Sequence, residues 1–260
     1  ASAVKGAPGK TFSTSVRFID TPRPLGRNVV AILPGSDPKL KGQYVAIGAH
    51  NDHIGFNTRP VDHDSVRAFN QVVRPQGADS PPRAATADEA ARIRTMVDSL
   101  RTLHPARLDS ISNGADDDGS GSVSVLEIAE AFAKGPVKPK RSIIFVWHAG
   151  EERGLWGSEF FPDHPTVPSD SIVAQLNLDM VGRGAATDIT GEDKAGGLLK
   201  GGPGYVQLVG SRRLSTELGD IIEQVNVEKN LGMRFDYGVD ANGHPQNIYC
   251  RSDHYEYARY

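Results

Sequence analysis

Acidic and imidazole side chains gather at a few points of this sequence, each just after an apolar run or just before a helical one. "SIIFVW" (142–147) leads into "HAGEERG" (148–154), where Glu151 and Glu152 stand side by side. Adjacent carboxylates repel, and beside a core they are costly unless something positive meets them. "YVAIGAH" (44–50) ends in His50, with Asp52 two residues on. "QLNLDMVG" (175–182) reaches Asp179 near its end, and "GADDDGSG" (114–121) offers Asp116, Asp117 and Asp118. One neutral imidazole with several carboxylates is a ligand set for a divalent cation such as zinc, or for two cations bridged by a carboxylate.

Each element has an ordinary explanation when taken alone. A histidine after a strand is usually a hydrogen-bonded core or surface residue. "DDD" before Gly is usually a solvated turn or a helix start, where carboxylates suit the dipole. An aspartate near a strand end is usually a cap, and "EE" after a strand can sit in a solvated loop. Together these explanations require four coincidences at the same kind of location. The joint pattern favours a metal site.

The elements that must position these residues are legible in outline. "TFSTSVRFID" (11–20) alternates like a half-buried strand. "NVVAILPG" (28–35) and "YVAIGAH" suit buried strands bounded by turns. Residues 57–85 are rich in Pro, Arg and Asp and read as irregular. Thr86 and Glu89 form a capping box for a helix whose apolar face holds Ile93, Met96, Val97 and Leu100, and Pro105 closes it. A second helix follows "GADDDGSG", with Val125, Ile128, Ala129 and Phe132 on one face and Gly135-Pro136 as its stop. "RSIIFVWHAG" (141–150) and "IVAQLNLDMVG" (172–182) are further strands, 191–204 a glycine-rich loop, and 215–230 a helix. Alternating strands and helices argue for an α/β sandwich with a largely parallel sheet. Such sheets bind ligands beyond the carboxyl ends of their strands, where the four acidic or imidazole groups fall.

"IGAHNDH", "GADDDGSGS", "GEERGLWGS", "NLDMVGR" and "RSDHYEY" resemble, in order, the motifs of the co-catalytic zinc aminopeptidase family, which is related to glutamate carboxypeptidases and glutaminyl cyclases. The match runs from about residue 28 to the end, with 57–110 as an insertion between the first two metal motifs. The resemblance implies a three-layer α/β/α sandwich with a mixed, mainly parallel central sheet, forming one catalytic domain over 1–260. It implies that His50 and Asp179 hold one zinc, that Asp117 bridges two, and that Glu152 holds the second. Glu151 would be the general base, Asp52 the carboxylate that orients His50, and Tyr249 a donor to the oxyanion. On an extended chain the two glutamates would point to opposite sides, one to metal and one to water. His53, His63, His148 and His254 are set aside as ligands, and Asp253 is expected to support the site. The family's fifth ligand, a histidine partner for Glu152, lies downstream of the "SDH" motif. The chain reaches Tyr260 without it, so one of the two zinc sites is expected to be incomplete here.

Composition narrows the rest. The 260 residues carry a net charge of −3 with both signs interspersed, which gives no nucleic-acid patch. No apolar stretch has the ~18 residues of a membrane span. One cysteine, Cys250, excludes an internal disulfide framework. The chain opens on Ala, shows no signal peptide, and ends without a helix stop, so both ends read as cut. The family resemblance favours a secreted or periplasmic address. The expected activity is that of a zinc exopeptidase, foremost an aminopeptidase, acting on peptides. A carboxypeptidase of the same fold, a glutaminyl cyclase and a non-catalytic binding ectodomain are the alternatives. The absence of a G-x-S-x-G elbow disfavours a serine hydrolase. With both its ends next to metal motifs, the insertion is expected to border the substrate cleft.

Overall fold

The structure is a computed structural model that describes residues 26–75, 80, 82–182, 189–192, 198–240, 244 and 246–260. The strand expected over 11–20 lies outside these residues. The chain runs β1 (Val29–Leu33), β2 (Tyr44–His50), β3 (Gly55–Asp62), α1 (His63–Val73), α2 (Ala87–Arg101), β4 (Leu108–Ser112), α3 (Gly119–Lys134), β5 (Ser142–His148), α4 (Trp156–Asp163) and β6 (Ile172–Asn177). Then come β7 (Ile189–Glu192), β8 (Leu198–Lys200), β9 (Tyr205–Gln207), α5 (Thr216–Glu228), β10 (Arg234–Asp236) and α6 (His254–Tyr257).

The main sheet is mixed, in the order β1-β5-β2-β6. β2 pairs in parallel with β5 and with β6, while β1 is antiparallel to β5. Parallel neighbours require long crossovers, and α3 and α4 lie in them. Alternation along the strands divides the apolar side chains between the two faces of the sheet. Ile47, Ala49, Ile143 and Phe145 pack with Val125, Ile128, Ala129 and Phe132 of α3, the helix face expected from the sequence. Ala46, Ile144 and Val146 pack with Phe161 of α4 and Tyr257 of α6. Ile144 and Val146 are wholly buried. Burying each such side chain stabilises by roughly 1.5–3 kcal/mol relative to exposure. This rigid base carries the strand ends.

The segment expected to be irregular contains β3 and α1. Pro60 lies within β3, but in a two-stranded ribbon a strand can spare the missing N–H. The β3–β4 register is broken between Phe56 and Val61, around that proline. Asp62 caps α1 by accepting from the Asp64 N–H. α2 begins with the expected capping box, in which the Thr86 N–H donates to Glu89 and the Glu89 N–H to Thr86 Oγ1. The insertion is therefore a β3-α1-α2-β4 unit, and α1 packs on α2. The 191–204 stretch is also not a plain loop, since β7 and β8 pair antiparallel there. Among the described residues, no helix is long and apolar enough to cross a membrane.

Candidate metal centre

The carboxyl ends of β2, β5 and β6 lie along one edge of the sheet, with His50 of β2 opposite His148 of β5. His50 is fully buried. Its Nδ1 lies 3.0 Å from the backbone oxygen of Asp52. Its Nε2 faces the other way, 3.1 Å from Asp117 Oδ1, 3.9 Å from Glu151 Oε2 and 4.0 Å from Asp179 Oδ2. Three carboxylates from three separate chain segments thus converge on one imidazole nitrogen.

Glu151 and Glu152 do not leave β5 on an extended chain, as expected from the sequence. They open a single 3-10 turn, Glu151–Arg153, between left-handed Gly150 and Gly154. Successive side chains in such a turn diverge by about a third of a revolution rather than alternating. Asp52 fixes the turn. Its carboxylate accepts from the N–H groups of Gly150 (2.7 Å), Glu151 (3.0 Å) and Glu152 (3.4 Å). It sits 3.7 Å from His50 Nδ1, so the hydrogen bond that orients the ring comes from the Asp52 backbone, and the carboxylate chiefly ties the glutamate turn to the end of β2.

The three aspartates of 116–118 serve different ends. Asp116 accepts from Gly182 N–H and Ser120 Oγ. Asp118 is buried and accepts from three backbone N–H groups, those of His50 (3.0 Å), Gly121 (3.0 Å) and Met180 (3.2 Å). It fastens β2, the start of α3 and the segment after β6 together. Gly121 is required there, because a Cβ would fall 2.0 Å from the Leu178 carbonyl oxygen and 2.3 Å from the Asp118 carboxylate. Asp117 lies between two groups of potential ligands. It faces His50, which groups with Asp118 and Asp179, and it groups with His53 and Glu152. Asp179 is held by Ser252, whose hydroxyl donates to Oδ2 at 2.6 Å while accepting from Asn177 Nδ2 at 2.9 Å.

The electrostatics mark a centre with an excess of negative charge. Burial opposes a charge on His50, yet Asp117, Asp52, Asp179 and Glu151 outweigh it and raise the imidazole from 6.5 to about 11. Burial, with the charges of Asp253, Asp179 and Glu152, lifts Glu151 to about 8 against the opposing pull of His50. Burial and Asp179 lift Asp118 to about 7. Burial also raises Asp179, against the Ser252 hydrogen bond, whereas Asp117 is held low by His50 beside it. A cation would relieve this charge. The donors fit one, because the buried His50 Nε2, His53 Nδ1 and Glu152 Oε1 have no hydrogen-bond partner among the described residues. Orphaned buried polar atoms are costly, and a metal ion is one of the few partners that a carboxylate and two imidazoles share.

Two residues differ from the expectation. His53, set aside as a ligand, lies against Glu152 and beside Asp117. Its signal was the spacing His50-Asn51-Asp52-His53 just past the end of β2, which returns a second imidazole to the same edge. Tyr249 stacks under the Arg213 guanidinium at 4.1 Å and meets His254 and Tyr255 edge-on. Among the described residues, none of its ring contacts is with the carboxylate cluster. Asp253 is fully buried and faces His148 Nδ1 at 3.3 Å, and His148 Nε2 lies 2.9 Å from the Tyr257 hydroxyl. That chain joins α6 to the end of β5.

A mixed α/β sheet with imidazole and carboxylates converging beyond its parallel strand ends defines a metal-binding α/β domain. The sequence pattern of Peptidase family M28 matches residues 28–260, and the chain belongs to this family. It is 39% identical over 80 residues to leupeptin-inactivating enzyme 1 of Streptomyces exfoliatus, covering 30% of this chain and 18% of that protein. It is 27% identical over 177 residues to a probable leucine aminopeptidase of Arthroderma benhamiae, covering 66% of this chain and 35% of that protein. The chain thus spans about a third or less of the length of these relatives. A zinc aminopeptidase from Bacillus subtilis superposes with a TM-score of 0.47 at 18% identity, over 89% of this chain and 37% of that one.

Proposed function

We propose that this chain is the catalytic domain of a zinc-dependent exopeptidase, an aminopeptidase that removes N-terminal residues from peptides. One observation carries the reading: buried imidazole and carboxylate atoms without hydrogen-bond partners converge at the strand ends of a chain of a peptidase family. In this proposal His50 and Asp179 would hold one zinc and Glu152 a second, with Asp117 as the carboxylate the two sites would share. Zinc, when bound, polarises a carbonyl and lowers the pKa of water. Glu151, in the same turn as Glu152 and 3.9 Å from His50, is the base that takes the proton from the attacking water and returns it to the leaving amine. Asp52 keeps both glutamates in place through the backbone of their turn. The proposed fold is a three-layer sandwich, supported by α3 against one face of the sheet and α4 and α6 against the other. The insertion, whose ribbon starts two residues after His53 and ends two before Gly114, borders the cleft in this reading.

The test is hydrolysis of a leucine anilide, before and after a chelator and after zinc is returned. Loss and recovery are expected. Hydrolysis of an N-blocked peptide from its carboxyl end would instead favour the carboxypeptidase. Cyclisation of an N-terminal glutamine without hydrolysis would favour the cyclase. Deleting 60–105 should raise hydrolysis of long peptides relative to dipeptides. Unchanged relative rates in a folded deletion variant would place the insertion away from the cleft.

A further inference from the structure

We propose that His53 is itself a ligand of the second metal ion, binding through Nδ1 beside Glu152 Oε1 and Asp117. This rests on the two-ion reading above. The family resemblance implies a histidine partner for Glu152 downstream of residue 260. His53 brings an imidazole to that carboxylate from the loop that follows β2, three residues after His50.

The geometry is that of two ligands meeting. His53 Nδ1 and Glu152 Oε1 lie against each other, both are buried, and neither has a hydrogen-bond partner among the described residues. An imidazole that merely paired with the carboxylate would direct its N–H along the line to the oxygen. Here the two atoms make no such hydrogen bond, which leaves both as potential ligand atoms. Asp117 completes the group, and one ligand atom from each of the three residues lies within 4.8 Å of the others. The surrounding chain is shaped to the ring. Gly114 has φ +65°, and a Cβ there would fall 2.8 Å from His53 Cβ and 2.9 Å from the Asp117 carbonyl oxygen. A side chain at 114 would push the Asp117 loop and His53 apart. The other histidines nearby have different settings. His148 Nε2 meets the Tyr257 hydroxyl, His254 packs against Tyr249, and neither belongs to a group of three potential metal ligands among the described residues.

The competing view is that His53 only offsets the charge of Glu152. Zinc titration against a chromophoric chelator separates the two, using the 260-residue chain and its His53→Ala and His53→Gln variants, with circular dichroism to confirm folding. We expect two ions in the wild type. In the variants one site should weaken by more than ~100-fold, beyond the ~10–100-fold expected for a residue that acts through a ligand. The site of His50 should keep its affinity. Cobalt-loaded His53→Cys gives an independent readout. A thiolate-to-cobalt charge-transfer band, absent from the wild type, is expected if residue 53 reaches the ion. Two ions held with affinities within tenfold of wild type in the folded variants, or no such band in a folded Cys variant, overturn the assignment and leave the two-ion reading standing. A wild-type chain that binds one ion or none overturns both.

Discussion

Two clusters of charged side chains, one in the insertion and one at the sheet edge, are built on opposite terms. In the insertion, Asp64 is almost wholly buried, and both its oxygens are occupied. Oδ1 accepts from Arg107 Nη2 and Nε at 2.7 and 3.0 Å, and Oδ2 from Arg101 Nη1 at 2.6 Å. Arg101 also pairs with Asp62, the cap of α1. Asp62 and Asp64 are each answered by a guanidinium of the same unit. At the sheet edge, Asp117, Glu151, Glu152 and Asp179 surround two imidazoles and no Lys or Arg pairs with any of them among the described residues. Burial alone does not distinguish the clusters, since both contain buried acids. What differs is whether the protein supplies the counter-charge. The insertion uses its ion pairs to hold α1, α2 and β4 together, whereas the centre leaves donor atoms to a partner from outside the chain.

The sharpest way to break this contrast is to change single carboxylates at the centre. Glu151→Gln should keep the metal content of the wild type and lose turnover by ~10²–10⁴-fold, since only the base is removed. Glu152→Gln should weaken one metal site and Asp117→Asn both. Equal metal content in all three variants, measured after dialysis, would refute the division of roles. Removing the counter-charge should act next most strongly. A ligand bound only by the folded state contributes about 4 kcal/mol when free at ~1,000 times its Kd. Chelation should therefore lower the melting temperature. Arg107→Met, in the insertion, should lower it without changing zinc content or affinity. A loss of zinc in folded Arg107→Met would show that the two clusters are coupled after all.

A smaller effect probes the scaffold of the centre. Asp118 gives its oxygens to three N–H groups, so Asp118→Asn turns an amide NH₂ toward a donor and leaves at least one buried N–H unsatisfied. A destabilisation of about 1–3 kcal/mol is expected, read by denaturant unfolding. The folded variant should still bind metal through Asp117. If instead stability is unchanged and metal binding is lost, Asp118 rather than Asp117 is the ligand from this loop.

How much of this was legible depended on the kind of physics involved. β2, β5, β6 and α3 follow from apolar periodicity, because burial on a sheet face or helix stripe repeats at a fixed interval. Residues 57–85 look irregular in sequence because their Pro, Arg and Asp are turn formers locally, while β3 and α1 are held by the Asp62 cap and by distant Arg101 and Arg107. No local window contains those partners. At the centre, residue types and strand ends named the acids and His50. The tasks of Asp52 and Asp118 were not legible, since both act on backbone N–H groups ~100 and ~60–70 residues away. His53 is not legible as a ligand because a histidine in the loop past β2 has no fixed direction until the Gly114 turn closes on it.

The smallest expected effect sharpens the comparison through acid. Arg107, then Arg101, hold Asp64 below the usual carboxylate range, against burial. Asp62 is lowered chiefly by the Ser65 hydroxyl, with Arg101 adding to it. Asp109 is lowered by the Ile111 N–H and by His63. All three therefore have folded pKa values below their unfolded value of about 3.9. Groups shifted in that direction contribute stability that is complete above the unfolded pKa and is lost as pH falls through the folded one. The insertion should thus be indifferent to pH between about 5 and 8 and loosen only below about pH 4. Hydrogen exchange of α1 and α2 measures this directly. In Arg107→Met, Asp64 loses one of its two guanidinium partners and keeps Arg101, so its pKa should rise and the acid loss should begin at higher pH. If α1 and α2 instead lose protection between pH 5 and 7, groups other than these carboxylates and their arginines hold the insertion together, and the description of it as internally paired by guanidinium fails.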